Sequence, residues 1–398
     1  MGQQVSRAAF DGLLTKTHVQ HALIQPDGRH NDVPTALATL VMLDGTSAQL
    51  QAVYESESAG LRAWVPSPTS ITDLEARGRL VGDVRFQRAF MTYFSMDSVN
   101  RFGGNTRGLV LSHLLTGPKP LIYGLFAGLG RPLVFLSDSM ELLNPLMAVQ
   151  SLTLAAVDWV DPIHELLSHP QLAIPAGEVL APDQILGRIA YDGRLGGLMK
   201  SGPGFHGVSQ IFTNSFAKIA VLEYVHRLDC RDPPRLVEQL SQLSVLLVCG
   251  VHKPDKPAFD FYLSCVPTWV NSLRVLLPNF DDQNDKVKLI RGVWLLIVLA
   301  YITQLRPITD ERLLFSEGQP ESLSWDNVFA DFRRQQDTLQ ENVKDLQLLR
   351  TLRSLWELSK IYDRERVLGL RAAWKLVLHW QGWTGLGAER EETLNIRL

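Results

Sequence analysis

The stretch RHNDVPTALATLVMLDG, residues 29–45, decides how the chain reads. Its apolar residues Ala36, Leu37, Leu40 and Val41 recur at helical spacing and do not alternate. Asp32 is placed to cap a helix, Pro34 suits its first turn, and Gly45 suits its end. A single histidine, His30, stands just ahead. The first turns of such a helix could line a pocket, so the same stretch asks what a pocket with one histidine can do.

The helical period continues outward. SAQLQAVYESESAGL puts Leu50, Val53 and Tyr54 on one face, and DVRFQRAFMTYFSMDSV (83–99) puts Phe86, Phe90, Tyr93 and Phe94 on one side. The apolar stretch 108–157 is broken by Gly117-Pro118, Gly128, Gly130, Pro132 and Pro145, which reads as several short buried helices. Further helices are expected at 208–227, 233–250, 260–277, 285–304, 322–359 and 361–380, with DCRDPP (229–234) as a break. Within 322–359, residues 331–353 read as a solvated amphipathic helix. Strand signals are nearly absent. The expectation is an all-α fold, a compact multi-helix single unit over 1–398 with a central buried pocket, divided if at all into two lobes meeting near 195–205.

Composition narrows the partners. The 398 residues carry a formal net charge of −3, with no basic excess to neutralise phosphates, which argues against nucleic acid. The most apolar run, VWLLIVLAYI (293–302), is too short for a bilayer, which needs about 20 residues. MGQQVSRAAFDG lacks the apolar core of a signal peptide, so a cytoplasmic location is expected, although Gly2 stands in a myristoylation pattern. Cys230, Cys249 and Cys265 form no CxxC, leave one over in any pairing, and read as reduced thiols. The apolar helix 292–306 would serve as core or as a homodimer interface.

No GxGxxG behind a strand, GxxxxGK[ST], HExxH or GxSxG occurs. HVQH places His18 and His21 one helical turn apart, without further ligands nearby. DWVDPIHELLSH (158–169) holds Asp158, Asp161, His164 and His169; it is an acid/base cluster or, more simply, a helix end, a restart at Pro162 and a polar face. SDSME (137–141) sets Asp138 and Glu141 one turn apart in apolar surroundings, where carboxylates are costly unless paired. KSGPGFHG (200–207) is a turn-rich loop carrying His206.

Six phrases, in order, carry a resemblance: RHNDVPTALATLVMLDGTSAQL, GLGRPLVFLSDSMELL, LMKSGPGFHG, FDFYLSCVPTWVNSLRVLLP, LAYITQLRP and DRERVLGLRAAW. Together they resemble the questin oxidase-like family of fungal aromatic polyketide pathways. The resemblance implies blocks of the form HNHxxHH, HPLIHLGYxxE, FDFxLMH and DxHxxKxxR, whose histidines and late lysine gather around a non-haem iron for oxidative ring cleavage or a Baeyer–Villiger-like step. This chain departs from that pattern. Asp32 takes a histidine place, Thr35 and Ala36 the next pair, Arg131 and Phe135 the two of the second block, and Cys265 that of the third. In the last block Arg366 takes the histidine place and Gly369 the lysine place. His30 is kept.

Iron in an oxygenase needs imidazole and carboxylate donors, and a fixed guanidinium repels a divalent cation. The expectation is therefore no metal and no cofactor. The catalytic candidates are Asp32 as proton carrier, Arg131 and Arg366 as cations for an enolate, phenolate or carboxylate, Cys265, and Asp138. His30, Tyr123, Phe135, His206, Tyr262 and Trp269 would bind a small aromatic or polyene substrate. The expected reaction is metal-independent cyclisation, pericyclic or aldol-type closure, isomerisation or rearrangement. Oxidation of the questin oxidase type and non-catalytic binding stand as alternatives. A further possibility is that the substituted charges simply pair with one another.

Overall fold

The computed structural model describes residues 2–169, 179–315, 323–337, 345–362 and 367–387. It is all-α. Among these residues the only strands are Phe259–Asp260 (β1) and Trp383–Thr384 (β2), paired parallel with Phe259 opposite Trp383. The chain divides into two units.

The first unit gathers residues 2–168 and 272–292. Its helices are α1 (Gly2–Gln20), α2 (Val33–Met42), α3 (Ser47–Ser58), α4 (Leu74–Leu80), α5 (Gln87–Asn100), α6 (Thr106–Leu115), α7 (Arg131–Leu142), α8 (Pro145–Val157) and α9 (Asp161–Ser168). α3 opens on a capping box: Gln49 N–H donates to Thr46 Oγ1 at 3.3 Å, and Thr46 N–H to Gln49 Oε1 at 2.9 Å. α5 turns Phe90 and Phe94 wholly inward beside Phe86, the stripe its spacing foretells. The broken apolar stretch becomes α6, two short 3₁₀ turns at Tyr123–Phe126 and Gly128–Gly130, then α7 and α8. Asn144 joins the last two, its Oδ1 accepting from Leu146 N–H and Met147 N–H. Residues 132–139 of α7 and 147–157 of α8 are buried without a break, so this pair forms the core of the unit.

The second unit gathers the described residues among 169–271, 293–337 and 345–387. Its helices are α10 (Pro182–Tyr191), α11 (Val208–Thr213), α12 (Ser215–His226), α13 (Pro233–Cys249), α14 (Phe261–Ser264), α15 (Val266–Leu276), α16 (Gln283–Thr303), α17 (Trp325–Asp337), α18 (Leu346–Tyr362) and α19 (Leu368–His379). The first unit takes the end of α15 and the start of α16. α13, α18 and α19 pack together. Three expected helices are divided. Asn214 interrupts 208–227 because its side chain caps α12, accepting from Ala217 N–H at 3.1 Å. The segment expected at 260–277 begins instead with β1, because Asp260 Oδ1 accepts from Tyr262 N–H and Leu263 N–H and starts α14 there. The 322–359 segment is seen as α17 and α18, and 338–344 lies outside the described residues. No described helix is long and apolar enough to cross a membrane.

Candidate functional site

The site is built where α2 and α7 begin and α8 ends. Asp32 occupies the cap position of α2, yet its side chain makes no capping hydrogen bond. This corrects the role its position in the sequence suggests. Its carboxylate is drawn to Arg131 instead: Nε donates to Oδ1 at 3.0 Å and Nη2 to Oδ2 at 3.3 Å. A helix start favours an anion and disfavours a cation. Asp32 is thus well placed on α2, and it offsets Arg131, which sits in the first turn of α7. Arg131 Nη1 also donates to Gly128 O at 3.2 Å.

Asp158 follows α8 immediately, where the helix carbonyls disfavour a negative charge. A hydrogen bond with His30 offsets that: Nε2 lies 2.8 Å from Asp158 Oδ2. With Nε2–H donating to the carboxylate, Nδ1 carries the lone pair, and no described residue hydrogen-bonds to it. The His30 side chain is 11% exposed.

The turn between these pairs is strained. Gly128, Leu129 and Gly130 have φ of 52°, 60° and 68° in succession. For Leu129 the left-handed conformation costs roughly 1–2 kcal/mol. Gly128 is required twice over, since a Cβ there would collide with the Asp158 carboxylate and crowd His30 Nε2 at 3.0 Å. An aromatic group adjoins Asp158 along the chain: Tyr123, Trp159 and His164 pack with ring centroids 5.0–6.5 Å apart. Burial holds His164 below the ordinary histidine range.

The other residues singled out from the sequence are placed as follows. Phe135 and Asp138 lie in the buried run of α7, and Tyr123 is half-buried in the aromatic group. In the second unit, Tyr262 stacks on Phe205 at 5.6 Å. Cys265 is buried, and its thiol lies 3.5 Å from Phe261 O as donor. Trp269 is buried. His206 is exposed, its ring against Gly204 and Gly387. Arg366 lies outside the described residues. Asp260, inside the FDFYL phrase, is a structural anchor: besides capping α14, it lies 2.7 Å from the Gln304 amide, which donates to it when its nitrogen is turned that way.

Sequence reasoning missed Asp158 as the partner of His30, and it missed Gly128. Asp158 was visible only as a member of the acid/base stretch 158–169, and Gly128 only as a helix breaker. It also missed Lys375, a buried lysine on α19 that donates to Leu313 O. Burial lowers its pKa, and burial pushes the nearby Cys249 thiol up to about 12.

A model of the Questin oxidase-like family matches residues 29–355, and the chain belongs to that family. Membership implies an enzyme of broadly oxidase type. A search among curated proteins returned no match. The resemblance implies an iron held by clustered side chains. Among the described residues no three His, Cys, Asp or Glu side chains gather to hold a metal, and Arg131 brings a fixed positive charge to the place of an expected ligand.

Proposed function

We propose that the chain is a metal-independent enzyme of fungal secondary metabolism, acting on a conjugated polyketide-type small molecule through an enolate or phenolate. The observation that carries this reading is the His30–Asp158 pair, with Nδ1 uncommitted, beside the Arg131–Asp32 pair. Asp158 fixes the imidazole tautomer and supports the imidazolium that forms. His30 Nδ1 takes a proton from a phenol or from carbon next to a carbonyl. Arg131 balances the charge that develops on oxygen, and Asp32 holds the guanidinium in place. The proton carrier is then His30, with Asp32 as its neighbour's anchor. Tyr123, Trp159 and His164 supply an aromatic wall. The enolate so formed closes, isomerises or rearranges.

Family membership favours a second reading, in which the same carbanion reacts with dioxygen. Incubation with hydroxyanthraquinones and linear polyketone substrates under strict anaerobiosis separates the two. Product formed without oxygen supports closure or isomerisation, and product coupled to oxygen uptake supports oxidation. Stoichiometric binding without turnover, or turnover untouched by His30→Gln, would overturn both.

A further inference from the structure

The aromatic group beside Asp158 has polar ends that the fold leaves unused. Tyr123 and His164 are half-buried, with ring centroids 5.0 Å apart, and the buried Trp159 packs against both. The Trp159 indole is spent, its N–H donating to Asp161 Oδ1 at 2.8 Å. The Tyr123 hydroxyl and both ring nitrogens of His164 have no hydrogen-bond partner among the described residues.

Both residues are fixed by backbone. Tyr123 opens the 3₁₀ turn Tyr123–Phe126, which lies so close to α8 that a Cβ on Gly124 would collide with Ala155 O. His164 stands on α9, whose Ile163 and Leu166 are buried and set its rotation. The two lysines whose charge acts on the group are paired: Lys119 Nζ lies 3.7 Å from Asp161 Oδ1, and Lys288 Nζ donates to Asp285 Oδ1 at 2.7 Å. Glu165 is exposed. What the group offers a ligand is therefore hydrogen bonds and flat apolar surface, not spare positive charge. A phenol and a neutral imidazole each present one donor, and a carbonyl oxygen has a lone pair for each.

The same turn leads to the His30 pair. Gly128, five residues on from Tyr123, abuts Asp158 and His30 Nε2. At about 2 Å per residue in the 3₁₀ turn and at most about 3.8 Å per residue beyond it, the two ends lie within about 14 Å. A fused-ring molecule can reach from one to the other.

We propose that the Tyr123 hydroxyl and the His164 imidazole recognise the carbonyl oxygen of a flat aromatic ketone. The inference rests on the proposed function in one respect: this ketone is the one whose enolate His30 forms. Both hydrogen bonds strengthen as negative charge builds on the oxygen, and they supplement Arg131, whose own charge Asp32 offsets.

The test uses the full chain and 9-fluorenone, with fluorene as the same ring body without the carbonyl. Calorimetry should show saturable one-to-one binding of fluorenone, with fluorene at least about tenfold weaker, the scale of two neutral hydrogen bonds. In the infrared, the C=O stretch of bound fluorenone should fall below its position in an aprotic solvent. Tyr123→Phe and His164→Phe keep the ring contacts and should each return the band part of the way, which a role confined to packing would not do. Should one variant fail to fold by circular dichroism, the other decides. Absence of saturable binding, equal affinity for fluorene, or a band unmoved by either variant would overturn the proposal. His30→Gln separates the two readings. Turnover that survives it, with the band still answering to Tyr123 and His164, removes the base and leaves the carbonyl pair standing. A band that answers to His30→Gln alone places the ketone oxygen at His30, which overturns the carbonyl pair and leaves the proposed function standing.

Discussion

Among its described residues the first unit contains two histidine–aspartate pairs, each with an arginine beside it, and they differ in what the second ring nitrogen meets. In one, His113 sits 1% exposed under the edges of Phe94 and Tyr93. Its Nε2 lies 3.0 Å from Asp97 Oδ2, and its Nδ1 accepts from Arg77 Nη1 at 2.9 Å. Arg77, fully buried, also donates to Thr116 O and Lys119 O, and Arg101 closes on Asp97 at 2.7 Å. Both ring nitrogens are spent, so this histidine is a cross-link between α4, α5 and α6. Burial first, then the Arg77 charge, holds its pKa below the ordinary range. In the other, His30 spends one nitrogen and the arginine pairs with a second carboxylate. The same residue types give a fastener where both ring nitrogens are spent and, in the proposed function, a working group where one is left over.

The largest expected effect tests the working group. His30→Gln should lower turnover by about 10²–10⁴-fold while the melting temperature stays close to that of the parent. Full activity in this variant would erase the distinction. His113→Ala should do the reverse. It takes one hydrogen bond each from a buried guanidinium and from the Asp97 carboxylate and leaves a cavity, and should cost about 2–5 kcal/mol in urea unfolding, with kcat of the folded fraction unchanged.

Acid sharpens the contrast. A histidine whose folded pKa is depressed binds fewer protons folded than unfolded, so its stabilisation is complete above the unfolded value of 6.5 and fades as pH falls. His18, lowered to about 4 mainly by burial, marks the window. Unfolding free energy should drop between pH 6.5 and 4, by about 1–3 kcal/mol for each such histidine. His113→Leu should flatten part of that slope, and an unchanged slope would count against the buried network. Last, Gly128→Ala should cost about 1–2 kcal/mol in stability. It should also lower turnover, because the new methyl displaces Asp158 from His30.

Local features were legible where neighbours in sequence are neighbours in space. Of the Phe86, Phe90, Tyr93 and Phe94 stripe, the three phenylalanines are buried on and just ahead of α5 and Tyr93 is half-buried, and Asp32, Pro34 and Gly45 bracket α2. What spacing could not supply was competition from a distance. Asp32 looks like a cap until Arg131, 99 residues on, takes its carboxylate. Asn214 and Asp260 each read as helix interior or helix edge, and each begins a new helix with its own side chain. The two halves of the candidate site were legible to different degrees. Asp32 and Arg131 were singled out because they replace expected ligands. Asp158 lies 128 residues from His30, with no local signature to link them.

The left-handed turn at Gly128–Gly130 ties the two charge pairs to one piece of backbone. The Gly128 carbonyl receives Arg131, and its Cα fills the narrow gap beside Asp158 and His30. A shift of this turn moves the proposed base and its counter-charge in concert. The site therefore behaves as a single mechanical part, and a substitution that retunes one pair will retune the other.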